Sequence, residues 1–214
     1  MEMSEITLYD YWRSSASYRL RIALNMLGLQ YRIIPVNLLK KEQQNADYLA
    51  LNPQGLVPAL VIDNIVMSQS LSIIEYLDET RKPGLFLPKE PALRQKVRAL
   101  SYAIAMEIHA VCNLRIVAYA IELTKDENTR KKWMYKFITD GLRDFEKMLE
   151  KLPEQTFCCS DVPSMADICL VPQVYNAIRW QVDLNKTPNI LRIYNNCVAL
   201  PAFQKAHPDN DKSK

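Results

Sequence analysis

The sequence predicts two structural classes in series: an α/β domain with a mixed sheet over residues 1–82, then, after a linker at 83–90, an all-α domain over 91–214. Three observations carry this. The apolar period changes several times in the first eighty or so residues, between the alternation of strands and the spacing of helices. Lys82-Pro83-Gly84-Leu85-Phe86-Leu87-Pro88 then sets prolines and a glycine so close together that no regular element survives. Beyond that break the strand signals stop and only helical spacing continues.

Ile6–Tyr11 reads as a short strand, and Trp12 to Ser17 as a polar turn. Tyr18 to Leu27 has helical spacing, with Ile22, Ala23 and Leu27 for one face and Gly28 as the stop. Tyr31–Leu38 is a second strand. Pro35 within it has no N–H to donate, so the strand belongs at an edge. Glu42–Leu51 is short and helical or irregular. Val57–Ile62 and Ile65–Met67 form a hairpin across Asp63-Asn64. Ser70 to Thr80 is a helix with Ile73, Ile74 and Leu77 inward and Ser70 as its cap. In the second half, Pro91 to Ile121 reads as one long helix. Asn128 to Leu152 follows, with Trp133, Phe137, Leu142, Phe145 and Leu149 for its buried side. Ala166–Ile178, Pro188–Asn196 and Pro201–His207 are shorter helices, and the charged tail Asp209–Lys214 is expected to be disordered.

Composition narrows the function classes. A net charge of +3 over 214 residues, with Lys and Arg matched by Asp and Glu, gives no basis for nucleic-acid binding. The N-terminal Met-Glu-Met-Ser-Glu has no basic region followed by an apolar one, and no apolar run approaches a membrane span, so a cytoplasmic protein without membrane contact is expected. Five cysteines, Cys112, Cys158, Cys159, Cys169 and Cys197, follow no zinc-ligand spacing and read as reduced core thiols. His109 and His207 are too far apart in sequence to suggest a histidine metal site, and no metal is expected.

Four short motifs have chemical potential. Ser14-Ser15 stands where a strand ends and a helix begins. Exposed N–H groups and partial positive charge there stabilise an anion such as a thiolate, and Arg19 and Arg21 add charge one turn on. Val57-Pro58 opens a strand; a cis bond would present the Val57 backbone to an extended ligand, whereas a trans proline in a turn is the commoner case. Gln69-Ser70 precedes a second helix and offers donors to a carboxylate. Ser164-Met165-Ala166-Asp167 reads as a structural capping box. Taken singly, the serine pair reads more readily as an ordinary cap and Val57-Pro58 as an ordinary turn, and Gln69-Ser70 has simple capping as its alternative.

The run Ser14–Leu24, Ser-Ser-Ala-Ser-Tyr-Arg-Leu-Arg-Ile-Ala-Leu, resembles the signature of the zeta-class glutathione transferases, the maleylacetoacetate isomerases. Asn52 to Leu60 and Gln69 to Leu77 are similar to the segments that follow in that family. Asn113-Leu114-Arg115 and Met165 to Val174 extend the similarity through the second half. The resemblance implies a thioredoxin-like N-terminal domain, an all-helical C-terminal domain and a homodimer. It implies glutathione as cofactor, with Ser14 activating its sulfur and Ser15 beside it. The implied glutathione set is Ser14, Ser15, Ala16, Ser17, Tyr18, Arg19, Gln43, Val57 through its backbone, Gln69, Ser70, His109, Asn113, Leu114 and Arg115; Arg179 corresponds to a basic position suited to a substrate carboxylate. The implied reaction is cis–trans isomerisation of a small dicarboxylic enedione, maleylacetoacetate to fumarylacetoacetate, by thiolate addition, rotation and elimination. Arg19, Arg115 and Arg179 are its candidates for carboxylates and enolate. Maleylpyruvate isomerisation, transfer to small α-halo acids and a non-catalytic binding module are the alternatives. One departure matters: the family's usual Ser-Ser-Cys reads Ser-Ser-Ala here, so Ala16 leaves no protein thiol at that point. His109 stands where some relatives have Gln.

Overall fold

A computed structural model describes residues 5–210. It divides into two compact units, the first made of residues 5–86 and 200–210 and the second of Leu87–Ala199.

In the first unit the strands are β1 (Thr7–Asp10), β2 (Arg32–Pro35), β3 (Ala59–Ile62) and β4 (Ile65–Ser68), in the sheet order β2-β1-β3-β4. β1 runs parallel to β2 and antiparallel to β3. Pro35 therefore sits on an edge strand, as its missing N–H requires. The β3–β4 hairpin turns through Asp63 (φ 54°) and Asn64 (φ 61°), the left-handed pair that follows the twist of two antiparallel strands. The helices are α1 (Ser15–Met26), α2 (Ala46–Leu51) and α3 (Ser70–Arg81). α1 ends at Gly28 (φ 67°), where Gly28 N–H bonds Asn25 C=O and Leu29 N–H bonds Leu24 C=O. The cap of α3 is Gln69 (φ 69°) rather than Ser70, which is already helical.

The helical unit holds α4 (Pro91–Tyr102), α5 (Leu114–Thr124), α6 (Thr129–Glu150), α7 (Met165–Arg179) and α8 (Pro188–Val198). The single helix expected from Pro91 to Ile121 is two. α4 widens into a π-helical stretch at Ala103–Ile108, and Asn113 (ψ 143°) leaves helical space to cap α5. Ile108 there packs where a side chain on Gly141 of α6 would stand, so only glycine permits the approach. On α6 the buried face is turned by one residue from the expected one. Met134 and Ile138 are inside with Leu142, Phe145 and Leu149, while Trp133 and Phe137 are half-buried with ring centroids 4.7 Å apart. α7 is buried on nearly every side from Met165 to Val174. The capping box at its start is present: Ser164 Oγ accepts from Ala166 N–H at 3.3 Å, and Asp167 Oδ2 accepts from Ser164 N–H at 2.8 Å.

The last helix, α9 (Pro201–Ala206), packs against α1 in the first unit, although its sequence follows the helical run. Phe203 and Ala206 are buried, Asn25 Nδ2 donates to Ala202 C=O at 3.2 Å, and Arg21 Nε donates to Ala206 C=O at 3.0 Å. Disorder was expected from Asp209, but Asp209 and Asn210 are ordered: Pro208–Asn210 form a 3-10 turn, with Asn210 Nδ2 donating to Gln204 C=O at 2.7 Å. Residues 211–214 of that tail lie outside the described residues. All five cysteines are unbridged. Among the described residues no helix is long and apolar enough to cross a membrane.

Candidate active site

Ser14 is the N-cap of α1. Its backbone is extended (φ −69°, ψ 121°), its N–H bonds Tyr11 C=O at 2.8 Å, and its Oγ accepts from Ser17 N–H at 3.2 Å. The side chain is half-buried, so solvent reaches it. The next two N–H groups, of Ser15 and Ala16, find no acceptor among the described residues. They stand at the positive end of the helix dipole. Ser17 is fully buried and Tyr18 nearly so; their side chains serve the core, Ser17 Oγ lying 3.5 Å from Tyr11 N–H. Arg13, absent from the sequence-level set, lays its guanidinium over the Trp12 ring at 4.7 Å and reaches Tyr11 Oη at 3.2 Å. Its signal was only its adjacency to Ser14.

The turn that carries Ser14 is braced from below. Arg21 donates from Nη1 to both Asp10 oxygens at 2.8 and 2.6 Å, and from Nη2 to Trp12 C=O at 2.9 Å. The pair is buried and closely matched, the condition under which such ions cost little. Arg19 is also buried, 2% exposed, with Nη1 donating to Ser70 Oγ at 3.2 Å. It braces α1 to the start of α3. Arg19 is therefore not placed to hold an exposed carboxylate, the role considered for it from sequence.

Three further segments of the same unit gather around this edge. Val57-Pro58 is a cis peptide bond. Gly55 (φ 61°) passes so close to the turn at Glu42–Gln44 that a Cβ would lie 3.2 Å from Gln43 C=O. Gln43 Oε1 is buried there without a hydrogen-bond partner among the described residues, a cost that a ligand donor would remove. Gln69 Nε2 donates to Gln54 Oε1 at 2.8 Å, linking the start of α3 to the 52–58 loop. Polar groups thus present themselves from Ser14 to Ala16, Gln43, Val57, Gln69 and Ser70 within one unit.

In the helical unit, His109 ends the π-helical stretch and is half-buried. Asn113 Oδ1 accepts from Arg115 N–H at 3.1 Å as the cap of α5, and Leu114 and Arg115 are exposed beside it. Arg179 is exposed at the end of α7, with Nη1 3.4 Å from Asn176 Oδ1. Among the described residues no three His, Cys, Asp or Glu side chains are grouped to hold a metal ion. Burial pushes the Cys112 thiol up to about 12, which marks it as a core group rather than a nucleophile.

Residues 4–79 match the family model described as glutathione S-transferase, N-terminal domain. A maleylacetoacetate isomerase of Rhizobium meliloti (strain 1021) is 56% identical over 98% of this chain and 99% of its own length. The chain belongs to the zeta-class glutathione transferases, the maleylacetoacetate isomerase family. Two solved structures extend the comparison to three dimensions. The holo structure of a maleyl pyruvate isomerase, a bacterial zeta-class enzyme, has a TM-score of 0.93 at 39% identity, covering 97% of this chain and 99% of its own. A maleylacetoacetate isomerase from Anaeromyxobacter dehalogenans 2CP-1, with bound dicarboxyethyl glutathione and citrate in its active site, has a TM-score of 0.87 at 35% identity, covering 98% and 97%. The zeta-class architecture expected from sequence, a thioredoxin-like sheet domain followed by helices, is the architecture observed.

Proposed function

We propose that this zeta-class chain is a glutathione-dependent cis–trans isomerase of a small dicarboxylic enedione, converting maleylacetoacetate to fumarylacetoacetate. The observation that carries the reading is the start of α1, where a reachable hydroxyl and two uncommitted N–H groups share one helix end. When bound, glutathione supplies the thiolate that adds to the alkene, permits rotation and leaves again. The chain's task is to favour the anionic sulfur and hold the reactants. Ser14 keeps its O–H proton available while its oxygen caps Ser17, and the Ser15 and Ala16 N–H groups add the dipole's charge. Gln43, the Val57 backbone, Gln69 and Ser70 hold the peptide portion, and the orphaned Gln43 Oε1 fits a ligand N–H. In the helical unit, the family pattern names His109, Asn113, Leu114 and Arg115 for glutathione, and Arg115 and Arg179 as the cations for substrate carboxylates. A dicarboxyethyl group on the glutathione of a relative is what sulfur attack on a butenedioate double bond leaves, which supports this chemistry.

The test is isomerisation of maleylacetone with and without glutathione. Ser14→Ala is expected to lower kcat by about 10²–10³-fold while calorimetry still detects glutathione binding. Near-wild-type kcat in that variant would remove Ser14 from the mechanism. Maleylpyruvate is the second reading, favoured by the structural likeness to a maleyl pyruvate isomerase, and kcat/KM on both substrates decides between them. A homodimer is supported by large apolar side chains exposed on both units, Ile65 and Val66 on the first and Met106 and Tyr135 on the second. Sedimentation at a monomer mass would end that part of the proposal. The unbridged cysteines suit a reducing cytoplasm, and recovery from an oxidising compartment on fractionation would contradict it.

A further inference from the structure

We infer that Tyr48 and Asn52 are positioning residues for glutathione, acting through the Leu56 carbonyl to aim the Val57 N–H. The inference rests on the proposed function, in which the Val57 backbone pairs with the ligand. Tyr48 Oη donates to Leu56 C=O at 2.7 Å, and Asn52 Nδ2 donates to the same oxygen at 2.7 Å. A carbonyl has two lone pairs, so both are used. The Leu56–Val57 bond is trans, since Val57-Pro58 is the cis bond in this loop. In a trans peptide the C=O and the following N–H point in opposite directions within one rigid plane. Fixing the Leu56 oxygen therefore fixes the Val57 N–H on the opposite side. That N–H makes no hydrogen bond among the described residues, and Val57 is half-buried.

Both donors are themselves held. Tyr48 is 5% exposed and sets its ring edge-on to Tyr9 of β1, with centroids 6.1 Å apart. Burial pushes its phenol up to about 12, so it remains a donor at any working pH. Asn52 is 2% exposed, and its Oδ1 accepts from Gln54 N–H at 3.2 Å. Rotating the Leu56–Val57 plane would break two hydrogen bonds to buried side chains. The plane is set before any ligand arrives, so binding does not have to order it.

Tyr48→Phe removes one oxygen and leaves the ring packing; Asn52→Ala removes the other donor. Each single variant is expected to raise the glutathione Kd by about threefold, because the remaining donor still holds the plane, and the double variant by more than about tenfold. S-methylglutathione should lose affinity in parallel, since the pairing is with peptide backbone and not sulfur. The kcat at saturating glutathione should stay within about twofold of wild type, a KM effect without a kcat effect. In NMR spectra of the free protein, the Leu56 carbonyl and Val57 amide signals should shift in each single variant. Unchanged Kd values for both ligands in folded Tyr48→Phe and Asn52→Ala proteins with shifted signals would overturn the inference, as would a fall in kcat at unchanged Kd. If the double variant does not fold, the two single variants carry the decision. Failure of the wild-type protein to bind glutathione would instead bring down the proposed function beneath it.

Discussion

The Ser14 oxygen accepts from the Ser17 N–H, and a hydroxyl that accepts still has a proton to give. Capping and sulfur activation therefore do not compete for the same part of the group. That is why the sequence could not separate them: a serine before a helix reads as a cap whether or not it does more. The neighbouring Ala16 sharpens the point. With no thiol at that position, the proposed activation rests on the Ser14 hydroxyl and backbone dipoles. Ala16→Cys is expected to change the isomerisation rate by less than about threefold, because those groups remain in place. A gain of orders of magnitude in a stopped-flow assay would show that the ordinary family cysteine does work this chain has lost. The arginines were less legible. Arg19 and Arg21 both looked like available charge, and both are buried, one on Ser70 and one on Asp10. One-dimensional spacing shows a positive charge but not the carboxylate that a strand end brings against it.

At the level of elements, signals that depend on local chemistry were readable and those that depend on a distant neighbour were not. Pro35 placed β2 at an edge, Asp63-Asn64 placed a hairpin, Gly28 ended α1, and Ser164 with Asp167 began α7. Each is decided within a few residues. The division between α4 and α5 is not. Apolar spacing runs on through it, and the π-helical stretch that precedes the break carries Ile108 against Gly141, far along the chain. The turned face of α6 has the same origin, since Trp133 is drawn to donate from Nε1 to Val111 C=O at 3.0 Å. The cis state of Val57-Pro58 was left open by sequence, and so was the Leu56 carbonyl that Tyr48 and Asn52 share, because hydrogen bonds to a loop backbone leave no pattern in side-chain order.

For the molecule as a whole, the organisation that matters is the return of α9 to the first unit. Sequence order assigned those residues to the helical part; packing assigns them to α1. Phe203→Ala is expected to cost about 3–5 kcal/mol, the usual cost of removing a buried aromatic ring. Hydrogen exchange should locate the loss in residues 5–86; loss confined to residues 87–199 would contradict the assignment. Arg21 would feel the same change, because one of its donors ends on Ala206 C=O and another on the turn that carries Ser14. The far end of the chain thus helps to hold the proposed reactive turn.

That return has a consequence in time. Residues Leu87–Ala199 separate Phe86 from the helix that closes its unit. At about 5–20 residues per second, synthesis of that stretch takes on the order of ten seconds. Throughout that interval the sheet and α1 exist without α9, and the surface that Phe203 and Ala206 cover is open. The sheet unit is therefore begun before the helical unit and finished after it, and a nascent chain stalled before Pro201 carries an incomplete glutathione domain however long it waits.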